Sequence, residues 1–376
     1  MNNKAVVFIC GNADSLVRFR SEFVSEFQSR GYSVTVFSGE VSPFFKLKLT
    51  QMDVKYEEIR LNRKSVNLFD SLFSIIDIIK KLKKVSPEFV FSFTHKSVVI
   101  GSICAYFSRV PKIFSMITGT GHIFDNNTFK EKLRRFIGFS GFRFSLRLNK
   151  KVFFQNPDDL NLFLQYKLVQ ENSCIRVNGS GVNLDLFKIE ALPDKPIFLC
   201  MSRLIKSKGL IEYAEAAKIL KIKYPDAEFL LAGFPDDHED SISEDEIKEN
   251  WLNDFGIKYI GLSTNPIQTI ASCSAYVLLS YNEGTPRSVL EAMAMGRAII
   301  TTDVPGCRET VLDDTSGYLV RVRDPESAAG GMEKLMNSEK RTTMGKESRH
   351  FCERKFDVKN VNLILINSMF DIHPNI

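Results

Sequence analysis

The sequence predicts an α/β protein built from two doubly wound domains, each with its own parallel sheet. Continuous apolar runs of strand length, AVVFIC at 5–10, FVFSF at 89–93 and PIFLCMS at 196–202, alternate with stretches of helical periodicity. Strands without polar alternation are typical of parallel sheets that are covered on both faces. At 376 residues the chain is long for one hydrophobic core and comfortable for two.

Charge and composition change between the two halves of the chain. Residues 1–180 hold 27 Lys and Arg against 15 Asp and Glu, a charge of +12, whereas the remainder holds 23 against 30, a charge of −7. The first half also contains 23 of the 31 phenylalanines. The segment NGSGVNLDLF at 178–187 has the Gly and Asn content of a domain connection. We therefore predict domains at 1–180 and 181–356, followed by a terminal segment at 357–376.

The first domain is predicted to present polar residues where its strands end. Gly11 and Asn12 follow the first strand, and His95 and Lys96 follow FVFSF in a loop. Ligands of open parallel sheets bind beyond the carboxyl ends of the strands, so these four residues are candidates for a binding site. Each also has a structural explanation, as part of a tight turn at Gly11 or as a hydrogen-bonded histidine at position 95.

A glycine-containing loop, TGTGHIFDN, follows the predicted strand KIFSMI at 112–117. Its G-x-G spacing is incomplete for a dinucleotide site, because Phe124 stands at the third glycine position. Gly119 and Gly121 nevertheless allow the backbone to pass close to a sugar or a phosphate. The next strand, KVFFQN at 151–156, is predicted to end the first sheet.

Residues 129–151 form a basic aromatic segment with eight Lys and Arg, one Glu and five Phe. Such a stretch can lie in the headgroup layer of an anionic membrane, with its rings in the acyl boundary and its cations on the lipid. A core helix with a cationic solvated face is the alternative. Nucleic acid is a further anionic partner, but the chain has no aromatic RNP run or zinc spacing, and we expect none to bind.

The cysteines and the hydropathy pattern indicate in which cellular compartment the protein is expected. The seven cysteines lie far apart without a C-x-x-C pair, so we expect reduced core residues and no metal site. No run approaches the roughly 18 consecutive apolar residues that span a bilayer, and the first strand starts too early for a signal peptide. We expect a cytoplasmic protein without a cofactor.

The second domain repeats the alternation of strand and helix with PIFLCMS, AEFLLAG, IKYIG, AYVLLS and GYLV. Arg203 and Lys208 follow the first of these strands, five residues apart. Two such cations can stabilise negative charge on a phosphate where no metal does so. No D-x-D pair occurs, and PDDHED at 235–240 is interpreted as a solvated loop. A pair of surface cations is the structural alternative for Arg203 and Lys208.

The stretch SYNEGTPRSVLEAMAMGRAIITT at 280–302 predicts a strand end, a turn and a helix. Pro286 stands near the helix start and Gly296 just past its end, as helix termini prefer. The unpaired N–H groups and the dipole at such a start favour a phosphate. Glu283 and Glu291, eight residues apart, can accept hydrogen bonds from vicinal hydroxyls of a sugar or ribose. A phosphate flanked by two sugars describes a nucleotide-sugar. A capping Glu and a solvated Glu are the structural alternative.

The run EGTPRSVLEAMAMGRAIITTDVPGCRET resembles the E-x7-E signature of retaining glycosyltransferases of family 4, which have the GT-B fold. PIFLCMSRLIKSKGL and NGSGVNLDLF continue the likeness. FTHKS and ITGTGHIF resemble the branch that assembles bacterial O-antigen and other lipid-linked glycans, including N-acetylgalactosaminyltransferases. The resemblance covers nearly the whole chain. It implies two facing Rossmann-like domains with a cleft between them, and a last helix, within 357–376, that crosses back to the first domain.

The resemblance also implies an activity. The chain would be a retaining, metal-independent hexosyltransferase that moves an N-acetylhexosamine or hexose from a UDP-sugar to a polyprenyl-diphosphate-linked saccharide. It would act in O-antigen (lipopolysaccharide) or capsular polysaccharide synthesis, as a peripheral protein on the inner face of the cell membrane. Residues 129–151 would then contact the anionic membrane surface.

Residue roles follow from the positions that match the family's motifs. The catalytic residues would be Glu283 at the transferred sugar and Arg203 and Lys208 at the diphosphate, while Glu291 would hold the ribose. The other donor-binding residues would be Gly284, Thr285, Pro286, Arg287, Thr118 and Gly119. The candidates on the acceptor side are Gly11, Asn12, His95, Lys96 and His122. Many family members have a histidine about where Thr118 stands, near the donor sugar, and His95 and His122 are the candidates to replace it.

Other classes of protein explain part of the sequence. A non-catalytic regulatory protein that binds a nucleotide-sugar could keep Glu291, but it would not need Arg203 and Lys208 together with Glu283. The hypothesis of a nucleic-acid-binding protein would explain the basic half of the chain, but it would assign no function to the acidic half. A sugar phosphorylase shares the fold but normally uses a pyridoxal cofactor. The glycosyltransferase hypothesis accounts for both halves.

Overall fold

The computed structural model describes residues 4–60, 68–120, 129–236 and 240–372. The chain divides into two compact units. The first consists of Met1–Ser180 together with Lys359–Ile376, and the second is Gly181–Val358. The last residues of the chain therefore belong to the first unit.

The first unit is built on a parallel sheet in which seven strands are described, in the order β3-β2-β1-β4-β5-β6-β7. The apolar run at the start of the chain is an interior strand of this sheet, and Val7 pairs with Thr35 on one side and Val90 on the other. The strands are β1 Ala5–Ile9, β2 Ser33–Ser38, β3 Val54–Glu58, β4 Phe89–Phe93, β5 Lys112–Ile117, β6 Lys151–Phe154 and β7 Cys174–Arg176.

Helices cover both faces of this sheet. They are α1 Asp14–Phe19, α2 Ser21–Gln28, α3 Pro43–Gln51, α4 Leu68–Val85, α5 His95–Phe107, α6 Phe129–Leu146 and α7 Pro157–Gln165, with α15 Val358–Met369 at the end of the chain. Apolar residues of α1, α2, α3 and α15 form one core with the sheet, and those of α4 to α7 pack on the opposite face. Phenylalanines fill the first core: the ring centroids of Phe23 lie 5.7 Å from Phe8 and 5.3 Å from Phe91.

The second unit has a parallel sheet in which six strands are described, in the order β10-β9-β8-β11-β12-β13. The strands are β8 Ile197–Arg203, β9 Glu228–Phe234, β10 Ile257–Tyr259, β11 Ala275–Leu278, β12 Ala298–Thr302 and β13 Gly317–Val320. The helices are α8 Leu210–Lys223, α9 Glu244–Glu246, α10 Leu252–Phe255, α11 Pro266–Ala271, α12 Arg287–Ala294, α13 Pro325–Lys334 and α14 Ser338–Phe356. The prediction of two doubly wound domains, each with its own parallel sheet, is confirmed.

Two sequence expectations about the first unit were wrong, and two of its elements were not predicted. Strand β7 follows KVFFQN and pairs with it, so β6 does not end the sheet. The sequence reading passed over β3 and α3, because short segments with mixed polarity carry little periodicity. His95 begins helix α5 directly after Thr94 instead of lying in a loop.

The described cysteines are all free, and six of the seven are buried. Burial raises the pKa of the thiols of Cys200, Cys273 and Cys307 to about 12. These thiols are therefore protonated near neutral pH and serve as small core residues. No helix in the described part of the chain is long and apolar enough to cross a membrane.

Candidate active site

The second unit has its topological switch point between β8 and β11. The chain runs outward from β8 through β9 to β10, and then returns to the other side of β8 with β11. Ligands of open parallel sheets bind outside the carboxyl ends of the strands at such a point. Arg203 is the last residue of β8 and Lys208 follows it, while Glu283 follows β11. Topology thus places the predicted catalytic residues after the two strands that flank the switch point.

Lys208 and Glu283 form an ion pair across these two loops. The Lys208 ammonium donates to Glu283 Oε1, and both side chains are more than four-fifths buried, with exposures of 16% and 17%. Ser280 Oγ donates to the same carboxylate oxygen over 2.8 Å. A partly buried pair of this kind is less screened by water than a surface pair, so its two charges strongly orient one another.

Glycine allows the two loops to approach each other. Gly209 has a φ of +70°, and a Cβ at this position would lie 2.1 Å from the carbonyl oxygen of Leu279. A side chain would therefore push the Lys208 loop away from the strand that leads to Glu283. The close approach sets the distance over which Lys208 reaches Glu283.

Helix α12 begins four residues after Glu283. Pro286 precedes it in an extended conformation and, as the N-cap residue, makes no side-chain capping hydrogen bond. Val289, Leu290, Met293 and Ala294 are buried, as the periodicity predicted. Because its apolar face is fixed in the core, the first-turn N–H groups of α12 are held at the carboxyl edge of the sheet, where they favour an anion.

Glu291 is held by a second ion pair one turn into α12. Arg287 Nε lies 3.1 Å from Glu291 Oε1, and their side chains are 11% and 12% exposed. The guanidinium of Arg287 also donates to the carbonyl oxygen of Gly181. The carboxylate of Glu291 is therefore fixed in orientation.

Arg203 has its own carboxylate partner, Asp236 after β9. The guanidinium bonds to Asp236 Oδ2, and the Arg203 side chain remains 44% exposed. Arg203 is thus a more solvated cation than Lys208. The remainder of the acidic run at 235–240 lies partly outside the described residues, at 237–239.

Sequence reasoning missed the loop after β12 as part of this site. The amide of Glu283 donates to the carbonyl oxygen of Pro305 over 3.2 Å. Gly306 has a φ of +76°, and a Cβ there would lie 2.3 Å from the carbonyl oxygen of Glu283 and 2.5 Å from that of Gly284. The Pro-Gly pair in DVPGC was the available signal for such a turn.

The first unit has a corresponding edge at its switch point between β1 and β4. The Gly11 amide donates to Thr94 Oγ1 over 3.3 Å, and Thr94 Oγ1 lies 3.1 Å from Ser97 Oγ. Asn12 Oδ1 accepts from the Asp14 amide over 2.7 Å, which starts α1. Thr94 has a φ of +73°, a strained conformation for a β-branched residue and one that occurs at functional sites.

His95 connects two of the predicted loops of this edge. Its Nε2 bonds to the carbonyl oxygen of Gly119, which stands with Thr118 after β5. Burial lowers the pKa of His95, so the imidazole is neutral near neutral pH and its Nε2–H can donate to that carbonyl. Lys96 follows in the first turn of α5. His122 lies outside the described residues.

The basic aromatic segment at 129–151 forms α6 and the start of β6. Arg143 donates to the carbonyl oxygens of Tyr166 and Lys167, and Phe142 is buried in the core. Phe136 and Ile137 are 70% and 62% exposed. The side chain of Arg134 lies outside the described residues. The segment therefore combines core contacts with an exposed apolar pair.

Two family matches cover both units of the chain. Residues 183–351 match the family described as Glycosyl transferases group 1. Residues 7–156 match the family described as Glycosyl transferase 4-like. The chain is a glycosyltransferase with a group 1 domain and a family 4-like domain. The family recognised from the sequence motifs is confirmed, and with it the general activity of this glycosyltransferase, the transfer of a sugar.

Characterised relatives of this glycosyltransferase match it over most of their length. It is 27% identical over 347 residues to an N,N'-diacetylbacillosaminyl-diphospho-undecaprenol alpha-1,3-N-acetylgalactosaminyltransferase of Campylobacter jejuni, with 89% of each chain covered. It is 23% identical over 320 residues to a UDP-Gal:alpha-D-GlcNAc-diphosphoundecaprenol alpha-1,3-galactosyltransferase of Escherichia coli, with 80% of each chain covered.

Solved structures place this glycosyltransferase in the GT-B fold. A glycosyltransferase from Rickettsia africae superposes with a TM-score of 0.74 at 18% identity, over 99% of this chain and 100% of that one. Anabaena Alr3699/HepE, in complex with UDP and glucose, superposes with a TM-score of 0.77 at 16% identity, over 98% and 100%. At these identities the similarity concerns the fold.

Proposed function

We propose that this glycosyltransferase moves a sugar from a UDP-sugar to a saccharide linked to a polyprenyl diphosphate, with retention of configuration and without a metal or other cofactor. The product would enter a bacterial surface polysaccharide, an O-antigen or a capsule. The observation that carries the proposal is the buried Lys208–Glu283 pair at the switch point, directly before the start of α12. A cation, a carboxylate and a helix N-terminus together fit a phosphate joined to a sugar.

The donor would bind to the second unit. Glu291 would accept hydrogen bonds from the ribose, and Arg203 and Lys208 would bind the diphosphate. Glu283, with the backbone from Gly284 to Arg287, would bind the transferred sugar and the adjacent phosphate. When the donor binds, Lys208 would share its charge between Glu283 and the phosphate, which requires little movement because Lys208 is already held at this edge.

Two cations are suited to the chemistry of the bond that breaks. Cleavage of the sugar–phosphate bond moves negative charge onto the diphosphate, and Arg203, Lys208 and the first turn of α12 would stabilise that charge. The leaving phosphate can itself accept the proton of the attacking hydroxyl in a displacement on the same face of the sugar. Retention therefore requires no separate general base among the side chains of this site.

The acceptor assignment rests on the relatives. The names of the Campylobacter and Escherichia enzymes specify acceptors on diphospho-undecaprenol, and the latter specifies UDP-Gal as donor. We place the acceptor on the first unit, at the edge formed by Gly11, Asn12, His95 and Lys96. Hydroxyl, amide and imidazole groups of this edge can exchange hydrogen bonds with sugar hydroxyls.

A donor and acceptor panel tests the proposed reaction. The purified chain would be incubated with UDP-N-acetylgalactosamine, UDP-galactose, UDP-N-acetylglucosamine or UDP-glucose and a polyprenyl diphosphate N-acetylhexosamine, and the products read by mass spectrometry. We expect transfer from one donor, unchanged by a chelator, and an anomeric configuration retained in the NMR spectrum of the product. Inversion, or transfer that a chelator abolishes, would contradict the proposal.

Arg203 provides a sharper test of the phosphate role. Arg203→Ala should lower kcat about a hundredfold while weakening UDP binding by less than about threefold, because its charge is needed most as the bond breaks. Asp236→Asn, which removes the partner of Arg203 and keeps the cation, should lower kcat far less. Equal losses of turnover and UDP affinity in Arg203→Ala would refute the assigned role.

We further propose that residues 129–151 dock the protein on the inner face of the cell membrane from the cytoplasm. Replacing both Phe136 and Ile137 by Ser removes exposed apolar surface without touching the core. Co-sedimentation with phosphatidylglycerol vesicles should fall about tenfold or more. Ile222→Ser, at an 85% exposed position of the second unit, is the matched control and should leave it unchanged. Equal co-sedimentation of the wild-type protein, the double variant and Ile222→Ser would rule out this segment as the membrane-docking site.

A further inference from the structure

The Lys208–Glu283 pair joins two loops that are 75 residues apart in sequence, and a third residue, Tyr281, ties the same loops together. The Tyr281 amide donates to the carbonyl oxygen of Ser207 over 3.0 Å. Ser207 is the residue directly before Lys208, and Tyr281 stands two residues before Glu283. The backbone bond therefore connects the two loops beside both members of the pair.

The side chain of Tyr281 adds a second connection. Its hydroxyl donates to Glu212 Oε1 over 2.6 Å. Glu212 lies in the first turn of α8, where the helix dipole favours a carboxylate, and it is only 8% exposed. Burial, together with the neighbouring Glu212 carboxylate, raises the pKa of Tyr281 to about 12, so the phenol keeps the proton that it donates.

The surroundings hold this pair of side chains in place. The guanidinium of Arg323 lies 4.6 Å from the centre of the Tyr281 ring, on the ring face. Glu212 Oε2 is buried without a hydrogen-bond partner among the described residues. A buried carboxylate that lost the Tyr281 hydroxyl as well would be costly, so the bond between them is strongly favoured.

These contacts fix Lys208 on both sides. Ser207 accepts a hydrogen bond from the Tyr281 amide, and a Cβ added at Gly209 would lie 2.1 Å from the carbonyl oxygen of Leu279. Beyond Gly209, the start of α8 is tied to the Tyr281 hydroxyl through Glu212. The backbone of Lys208 thus has fixed points directly before and after it, and all of them lead to the loop that carries Glu283.

We infer that Tyr281 and Glu212 are positioning residues, which hold the ammonium of Lys208 at the phosphate and the carboxylate of Glu283 at the sugar during transfer. This inference rests on the proposed function of Lys208 and Glu283. Neither residue touches the reacting atoms. Their contribution is preorganisation: the loops are held in the reactive geometry before the donor binds.

Tyr281→Phe removes the hydroxyl and keeps the ring under Arg323. We expect kcat to fall about tenfold or more, because a displacement of about 1 Å can cost up to a hundredfold, while the Kd for UDP changes by less than about threefold. Glu212→Gln keeps an acceptor for the Tyr281 hydroxyl and should retain most of the wild-type kcat. A loss of kcat without a matching loss of UDP affinity in Tyr281→Phe, together with a retained kcat in Glu212→Gln, would not arise from lost stability alone.

Tyr224→Phe is the matched control, since the Tyr224 hydroxyl donates to Glu333 Oε1 over 3.0 Å in the same unit. This variant should keep kcat within about twofold. If Tyr281→Phe turned over like the wild-type protein at a temperature well below its Tm, the inference would be overturned.

Hydrogen exchange separates this inference from the proposed function. The amides of Lys208 and Gly209 are bonded within their own turn, at 3.0 and 2.9 Å. They should exchange faster in Tyr281→Phe than in the wild-type protein or in Tyr224→Phe, whatever the donor is. If the wild-type protein turned over no UDP-sugar, the proposed function would fail. Unchanged exchange at these two amides would then overturn the positioning role independently.

Discussion

The carboxyl edges of the two sheets have the same topology and different chemistry. In each unit the edge lies at a switch point, between β1 and β4 in the first and between β8 and β11 in the second. The second edge is organised by ion pairs, Lys208 with Glu283 and Arg287 with Glu291. In the first, the hydrogen bonds of Thr94 and His95 join neutral groups, with backbone and hydroxyl partners, beside the cation Lys96.

This difference indicates which chemical group of a ligand each edge can bind. Paired charges cost free energy to bury, and they are worth that cost where a charged ligand can take over one partner. Neutral donors and acceptors recognise hydroxyl groups without such an exchange. The second edge therefore suits the diphosphate of the proposed donor, and the first suits the hydroxyls of the proposed acceptor.

The largest expected effect comes from neutralising the second edge. Lys208→Gln keeps a long polar side chain but removes the charge, and kcat should fall about a hundredfold to a thousandfold, as for other transition-state charge stabilisers. Donor hydrolysis and transfer with the active UDP-sugar would measure it. Lys206→Gln, in the same turn and exposed, is the matched control and should stay near wild-type turnover. Equal turnover in both variants would break the comparison between the charged and neutral edges.

An intermediate effect should come from the packing that supports the second edge. Gly306→Ala places a Cβ 2.3 Å from the Glu283 carbonyl oxygen, so the loop must shift, and kcat should fall about tenfold or more. Gly261→Ala has the same φ of +76° with no described atom within 4 Å of the added Cβ. It should lose only the roughly 1–2 kcal/mol of stability that the backbone conformation costs. Steady-state kinetics and thermal unfolding of both variants separate the clash from the conformational strain.

The smallest effect concerns the charge state of the first edge. Burial lowers the pKa of His95 below its usual 6.5, so as the pH falls below about 6.5 the unfolded chain gains a proton that the folded chain resists. The wild-type protein should therefore lose more Tm between pH 7.5 and 5.5 than His95→Gln does, by roughly 2 °C or more. Coinciding slopes of wild type and His95→Gln would mean that His95 takes up its proton without strain.

The sequence predicted the parts of this molecule that depend on local pattern. Unbroken apolar runs identified β1, β4, β8 and β11, because a strand buried on both faces has no polar positions. The spacing of Val289, Leu290, Met293 and Ala294 fixed the buried face of α12, since side chains three and four apart share one side of a helix. The motifs also identified the family and the candidate residues at both edges.

The local sequence pattern did not predict the interaction partners of the candidate site residues. Glu283 and Glu291 were expected to serve one ligand together, and the structure gives each its own cation, Lys208 and Arg287. Helix periodicity predicts a face, but it carries no information about a loop 75 residues away. The same reason explains why Gly306 and the Tyr281–Glu212 bond were missed.

By itself, then, the amino-acid sequence determined two parallel sheets, the helix start at α12 and the chemical types of the site residues. Only the tertiary structure decided that Lys208 pairs with Glu283, that Gly306 closes on Glu283, and that His95 bonds to Gly119. Strand order is the physical reason: which loops meet at the carboxyl edge depends on which strands become neighbours, and that follows from packing the whole sheet.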